Sequence, residues 1–423
     1  MKRLISLIIA IICIGVLFSA CKKEPAEQIE QTENTYIEGT DYQYMYDNHP
    51  MAESPDGYYF LAGYYLYYID KANMEAIPLC NKPNCLHQNE TNPEKVLDCN
   101  ACFLNSGSSP LVAWYEGHLY VTDQKTNGNA NGEYDLIRMD ADGSNRKTLL
   151  ALPANTSCYM IHRGYIYYAS IVYSEDLDST YGVFRIPLAG GKEETIYAGK
   201  DPGDGRRGTI DRLLAYGNTV YIVMHISDFN QNTREDTVYG YDTIAGNVWN
   251  IFNNDTLVST MSPVFLDGKI YEALYHVNDL ADPADEYYEH IVTNLDGSDP
   301  QPVSFFSDDS TMTYRSDLTS FWYYTIPWYQ TSGEKPLLQR LDTSGKVIGE
   351  VVDPKFSGSS STYIMPGGVE YAFIMNEEQG EDGETDYVLY WIDKNSPDGK
   401  YIQNECLRIP RSSWFKSIVT STR

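Results

Sequence analysis

A glycine followed by alternating aromatic and aliphatic residues returns along this chain about every fifty residues, and this recurrence constrains the fold more than any other feature. Clear copies are Gly117-His118-Leu119-Tyr120-Val121, Gly164-Tyr165-Ile166-Tyr167-Tyr168, Gly217-Asn218-Thr219-Val220-Tyr221 and Gly268-Lys269-Ile270-Tyr271. Weaker ones are Gly57-Tyr58-Tyr59-Phe60, Ser320-Phe321-Trp322-Tyr323 and Gly368-Val369-Glu370-Tyr371. A second strand pair follows each copy around a tight turn: Ala72-Asn73, Asp142-Gly143, Ala189-Gly190-Gly191, Ala245-Gly246-Asn247, Asp296-Gly297, Ser344-Gly345 and Asp398-Gly399. Gly and Asn there supply the positive φ that two-residue hairpin turns require. Period-two alternation and 37 tyrosines favour pleated, half-buried strands over helices. Seven repeats of a four-stranded antiparallel unit predict an all-β chain folded as a β-propeller of seven four-stranded blades. Two stacked β-sandwiches would require the period to be accidental.

The chain opens with Met1-Lys2-Arg3, an apolar run from Leu4 to Leu17, and Phe18-Ser19-Ala20-Cys21. A positive start, a short apolar core and small residues before a thiol are the parts of a secretory signal. The segment resembles a bacterial lipobox, which implies that Cys21 is lipidated and becomes the mature N-terminus. Phe18 departs from that pattern, where a smaller aliphatic residue is usual. The expected organisation is a lipoprotein signal peptide at 1–20, a flexible acidic tether at 21–41, and a single propeller domain at 42–423. Ser54-Pro55-Asp56-Gly57 and Ser396-Pro397-Asp398-Gly399 resemble the turn of TolB-like propellers. No repeat carries a Trp-Asp dipeptide or a kelch signature.

The formal net charge is −28, and close to −30 once Lys2 and Arg3 leave with the signal. Such a chain repels phosphate backbones, which excludes nucleic acid as a partner. It repels anionic lipid as well, so the expected membrane partnership rests on acyl chains, at about 0.8 kcal/mol per buried methylene. The expected location is extracytoplasmic, anchored to the cell membrane by lipid.

Propeller topology places the loops between second and third strands on one face. Here those stretches are long and acidic: 174–178, 228–236, 278–286 and 376–386. At their bases stand Tyr173, His225, Tyr275, His276, Trp328 and Tyr329, polar-tipped rings of the kind that line binding sites, and these are the candidate ligand residues. Solvation of a secreted domain is the plainer reading of the acids.

Between Asn73 and Gly143 the repeat runs roughly twenty residues over its usual length. That cysteine-rich insertion, at 78–103, reads Pro78-Leu79-Cys80-Asn81-Lys82-Pro83-Asn84-Cys85-Leu86-His87 and, further on, Asp98-Cys99-Asn100-Ala101-Cys102. It resembles a segment of uncharacterised lipoproteins from anaerobic Gram-positive bacteria, in which Pro-Leu-Cys, Pro-x-Cys-x-His and Cys-Asn-Ala precede a propeller. Cys80, Cys85, His87 and Cys99 map onto that pattern, whereas Cys102 stands where an aromatic is commoner. No activity comes with the resemblance. Three outcomes are open for these thiols. An oxidising compartment favours disulfides, such as Cys80 with Cys85 and Cys99 with Cys102 or the crossed pairings. Cys80, Cys85, His87 and Cys99 also make up a Cys₃His set for a structural Zn²⁺, the one cofactor in view, although the spacing is not that of a standard zinc finger. Free thiols suit an anaerobic habitat. Cys158 and Cys406 lie in alternating strands and read as small buried hydrophobes.

Catalytic signatures are missing: the chain contains no G-x-S-x-G, H-E-x-x-H or Walker-type loop. Gly203-Asp204-Gly205-Arg206-Arg207-Gly208 spells G-x-G-x-x-G without a helix after it, so it reads as a loop between blades. Asp140-Ala141-Asp142-Gly143 begins like a calcium loop, but Ala151 stands where the closing Glu belongs, so it reads as a turn. The expected function is a binding or interaction module for a glycan, a peptide or an envelope partner. The rivals are a polysaccharide-acting enzyme using carboxylates or His225 and His276, and a structural scaffold of an envelope complex.

Overall fold

The computed structural model describes residues 37, 41 and 51–410, apart from 88–89, 91, 105–110, 125–132, 154, 174–178, 202–205, 229–232, 254–258, 261–262, 278–285, 308–311, 326–335, 356–362 and 381–382. Cys21, Trp328 and Tyr329 lie outside the described residues, as do most residues of the acidic loops.

The recurrence resolves into seven antiparallel blades around an axis, their strands lettered A to D outward. Blade 1 takes Met51–Glu53, Gly57–Ala62, Tyr65–Asp70 and Ala76–Pro78, and blade 2 takes Val112–Tyr115, His118–Gln124, Tyr134–Met139 and Lys147–Leu152. Blade 3 follows with Thr156–His162, Tyr165–Tyr173, Ser179–Pro187 and Glu194–Lys200, and blade 4 with Arg206–Tyr216, Thr219–Asp228, Thr233–Asp242 and Val248–Asn253. Blade 5 splits its A strand into Ser259–Thr260 and Val264–Leu266, then continues Lys269–Val277, Glu286–Asn294 and Gln301–Pro302. Blade 6 is Met312–Ser316, Phe321–Thr325, Leu338–Leu341 and Val347–Val351; blade 7 is Tyr363–Met365, Tyr371–Gln379, Thr385–Asp393 and Asn404–Pro410.

Face-to-face stacking explains why the recurrent motif is apolar on both parities. Strand B of blade 1 is buried at every position, whereas strand D of blade 3 is exposed or half-exposed throughout. A sheet covered on both faces needs a near-continuous apolar run, and an outer edge does not. Tyr58, Phe60 and Met51 of blade 1 share one core cluster with Phe373, Met375 and Leu389 of blade 7, which closes the ring by packing. Tyr58 meets Phe373 edge-on at 4.7 Å between ring centres. Each such buried side chain contributes about 1.5–3 kcal/mol.

Small residues set the spacing between blades. Tyr181 of blade 3 lies so close to Gly199 and Gly208 that a Cβ on Gly208 would stand 2.1 Å from its ring. Gly208 ends the G-x-G-x-x-G string and lies within strand A of blade 4, so this glycine serves packing between blades.

The positive-φ pairs sit elsewhere than the sequence implied. Two-residue turns with both residues at positive φ join strands A and B, at Glu116-Gly117, Arg163-Gly164 and Asp267-Gly268. The turns between C and D are longer: the Asp140 N–H donates to the Ser144 carbonyl at 3.0 Å, and the pattern recurs from Asn294 to Ser298 and from Asp342 to Lys346. Asp398-Gly399 belongs to neither class. It lies between strands C and D of blade 7, where Lys400–Tyr401 leaves to pair parallel with Val347–Val351 of blade 6. That excursion ties the two blades together.

Two buried ionic clamps add to this. Asp41, assigned to the tether by sequence, is buried and accepts hydrogen bonds from Arg163 at 2.9 and 3.2 Å. The folded body therefore includes this residue. Between blades 6 and 7, buried Lys394 donates to Asp317 at 2.8 Å. The Asp317 carboxylate also accepts from Thr319, Ser320 and the Trp322 indole N–H.

Candidate functional site

The insertion sits on the end of blade 1 where strands B and C meet, and it reaches blade 2. Ala101 accepts from the Leu66 N–H and Phe103 donates to the Tyr64 carbonyl, both at 2.8 Å, so the segment lies beside the B–C hairpin as an extra strip. Its far end is held by strand B of blade 2, where the Asp123 carboxylate accepts the Leu104 N–H at 2.6 Å. Within it, Asn92 caps the short helix Pro93–Asp98 by accepting the Glu94 N–H. The N–H of Cys99 donates to Val96 at the other end of that helix, which carries the thiol inward.

Here Cys80, Cys85, His87 and Cys99 come together, with one donor atom of each within 4.8 Å of all the others. Cys99 Sγ stands 3.6 Å from His87 Nδ1. The Tyr65 hydroxyl donates to the His87 carbonyl at 2.9 Å, and Lys82 binds Asp98 at 2.6 Å, so the loops bearing the donors are themselves tied down. Cys102 is not part of this group. It is buried, its backbone bridges to Tyr65, and burial pushes its thiol up to about 12. No disulfide joins the four insertion cysteines in this arrangement.

The donor chemistry fits a soft divalent cation. Burial raises the Cys80 pKa, but hydrogen bonds from the N–H groups of Lys82 and Asn100 and from the neighbouring thiols outweigh it, and the net displacement is downward. Cys99 moves the other way, far above the usual thiol range, through burial first and its sulfur neighbours after that. Burial lowers the His87 pKa and keeps its ring neutral and able to ligate. Three thiolates with a divalent ion would leave one net negative charge, and the Arg146 guanidinium, which interacts electrostatically with Asp123 first and with Cys99, Cys80 and Cys102 after it, opposes it.

The other sequence candidates separate. His225 and Asp211 of blade 4 form a 2.7 Å contact, and Asp236 completes the only other donor group of this kind among the described residues. Arg234 binds both acids, at 2.9 Å to Asp211 and 2.7 Å to Asp236. His276 belongs to a different contact, 2.9 Å from Glu289, with its ring stacked on Tyr287. Tyr173 and Tyr275 lie in B strands, but their side chains are outside the described residues. Much of the expected 376–386 loop is strand, where Arg408 binds both Glu378 and Asp386. Cys158 is fully buried, as expected, and its thiol is pushed up to about 12 by burial, whereas Cys406 is only partly buried.

What sequence reading missed is an inter-blade cleft of about 360 Å³ between blades 1 and 2, bounded by the A–B turn of blade 1 and the C–D turn of blade 2. Trp114 stacks on Tyr59 with ring centres 5.7 Å apart and planes 11° apart, and Cys80 forms part of the wall. Its residues come from five separate places in the chain, so no local pattern announces it.

No family model matches this sequence, and no curated protein matches it. Among solved structures, the β-propeller domain of the Trilobed protease from Pyrococcus furiosus is similar at 11% identity, covering 69% of this chain and 91% of that one, with a TM-score of 0.41. An uncharacterised protein of Listeria monocytogenes is similar at 12% identity, covering 70% and 81%, with a TM-score of 0.43. A putative TolB from Agrobacterium tumefaciens is similar at 12% identity, covering 62% and 83%, with a TM-score of 0.33. At such identities the likeness concerns the propeller path alone.

Proposed function

We propose that this chain is a lipid-anchored extracytoplasmic propeller that works as an interaction module, with a structural zinc ion fastening its insertion across blades 1 and 2. The observation that carries the zinc assignment is the convergence of Cys80, Cys85, His87 and Cys99, because a disulfide would use only two of the three sulfurs and no imidazole. A closed set of four protein donors leaves no position for substrate, so the ion's role is to hold structure. Anchoring is supported by the resemblance of residues 1–21 to a lipobox, and with a charge of −28 the acyl chains must do the holding against an anionic surface. A binding role is favoured over catalysis by Arg234, whose guanidinium neutralises the two acids beside His225. The Asp211–His225 contact is the one observation on the side of an enzyme.

Metal analysis of the full-length chain tests the centre. We expect about one equivalent of zinc, lost in Cys99→Ser and retained in Cys102→Ala; zinc far below one equivalent in the native chain refutes it. Metabolic labelling with a palmitate analogue should mark the wild-type chain and not Cys21→Ser. Binding of the full-length chain to peptidoglycan, glycan and peptide libraries tests the module, and silence in all three would refute it.

A further inference from the structure

We infer that the cleft between blades 1 and 2 is a binding site for an organic ammonium group carried on an apolar frame. The inference rests on the interaction-module reading and names the ligand chemistry. The cleft has about 360 Å³, within the size range of small-ligand pockets. One wall is aromatic: Trp114 lies parallel to Tyr59, and Tyr68 packs on Tyr59 with ring centres 5.3 Å apart. The phenol hydroxyls are already used, Tyr59 donating to the Ala141 carbonyl at 2.9 Å and Tyr68 to the Asp56 carbonyl at 3.1 Å. Tyr59 is itself buried and backs the wall, so the half-exposed rings of Trp114 and Tyr68 are the ones that face a ligand, and such rings suit alkyl groups and cations.

The rim supplies the charge. Asp56 and Asp142 border the cleft, and none of its lining residues is Lys, Arg or His. Asp142 Oδ1 accepts the Ser144 N–H at 2.9 Å, which fixes the carboxylate at the tip of the turn while leaving it exposed. Both acids interact electrostatically with the Tyr59 hydroxyl, which places them near the aromatic wall. Ile77, 56% exposed, extends the apolar floor outward. Two exposed carboxylates in one cleft with the half-exposed Trp114 and Tyr68 rings, and no cation of the protein's own in the lining, complement a positive charge on a hydrocarbon body and repel an anion. Cys80 belongs to both the cleft wall and the metal set, so one loop serves both.

A lysine side chain of a partner and a free quaternary amine present the same chemistry. Calorimetric titration of the full-length chain in detergent, at low salt, would use three probes: N-acetyl-lysine methylamide, its norleucine counterpart, and choline. The lysine amide, choline or both should bind, with the norleucine compound at least tenfold weaker and affinity falling as salt is raised. Binding of the lysine amide alone identifies a peptide source, and binding of choline alone a small-molecule source. Asp56→Asn with Asp142→Asn should weaken the ammonium probes about fivefold at unchanged melting temperature, because both positions are exposed. Trp114→Leu should weaken them further. Equal binding of the norleucine compound, no effect of the paired Asn substitutions, or no binding by either ammonium probe would overturn the inference. If the libraries yield a ligand free of ammonium groups whose affinity ignores those substitutions, the module reading stands and this inference falls.

Discussion

Replacing Lys394 by Met should open the seam between blades 6 and 7 at its most buried charge. The Lys394 side chain is 1% exposed and that of Asp317 is 0% exposed, at an Nζ to Oδ2 distance of 2.8 Å. Burial pushes the Lys394 pKa down to about 8 against the pull of Asp317, so the ammonium is still charged at pH 7. Burial raises the Asp317 pKa too, but Lys394, Thr319 and Arg340 outweigh it and keep the carboxylate ionised. Methionine fills the aliphatic volume and removes the charge, which leaves the carboxylate buried with fewer partners. Breaking such a pair from one side costs about 3–5 kcal/mol. Arg340, 3.5 Å from the same oxygen, and the Trp322 N–H at 3.2 Å remain, so the low end of that range applies. The roughly 290 described residues at about 2.1 cal/mol/K each give an unfolding entropy near 0.6 kcal/mol/K, so a loss of about 3 kcal/mol lowers the melting temperature by roughly 5 °C. Scanning calorimetry of the wild type, Lys394→Met, Asp317→Asn and the double variant would measure it. The double variant should be at least about 1 kcal/mol more stable than the sum of the single losses implies, because removing both charges leaves no orphan. A single-variant shift below about 1 °C, or strict additivity across the cycle, would refute the reasoning.

Gly208→Ala places a methyl against the Tyr181 ring and should cost about 1–3 kcal/mol, read as a lowered denaturation midpoint. Asp123 predicts a pH effect: burial, with a smaller contribution from Asp135, raises its pKa to about 6 against the Leu104 N–H and Arg146. Between an unfolded value near 3.9 and that folded value the native state holds more protons, so acidification from about pH 6 to pH 4 should stabilise the wild type relative to Asp123→Asn. Parallel pH–stability curves for the two proteins would contradict this.

The seven-blade ring was legible because its signal is local and repeated. Gly164-Tyr165-Ile166-Tyr167-Tyr168 encodes a turn, a pleat and a two-faced burial within five residues, and copies at a constant interval leave few architectures. The Cys/His cluster was half legible. Cys80, Cys85, His87 and Cys99 stood out as a Cys₃His set with Cys102 set apart, yet disulfides and free thiols stayed open because spacing does not say which sulfurs meet. The cap at Asn92 and the strip of Ala101 and Phe103 along the B–C hairpin are what bring Cys99 to the cluster and leave Cys102 beside Tyr65. The aromatic and acidic candidates fared differently for a related reason. His225 and His276 stand at the bases of separate loops expected on one face, and each strand pairing gives them separate acids, Asp211 and Glu289.

By itself, then, the sequence determined the leader-like start, the sign of the surface charge and the strand repeat, since each depends on neighbours within a few residues. Only the tertiary structure decided which thiols meet, that Lys394 finds Asp317 across 77 residues, and that Trp114 of blade 2 stacks on Tyr59 of blade 1 to wall a cleft. The last two form between blades and the thiols meet within the insertion; in each case packing sets which side chains face each other, and no local pattern records that.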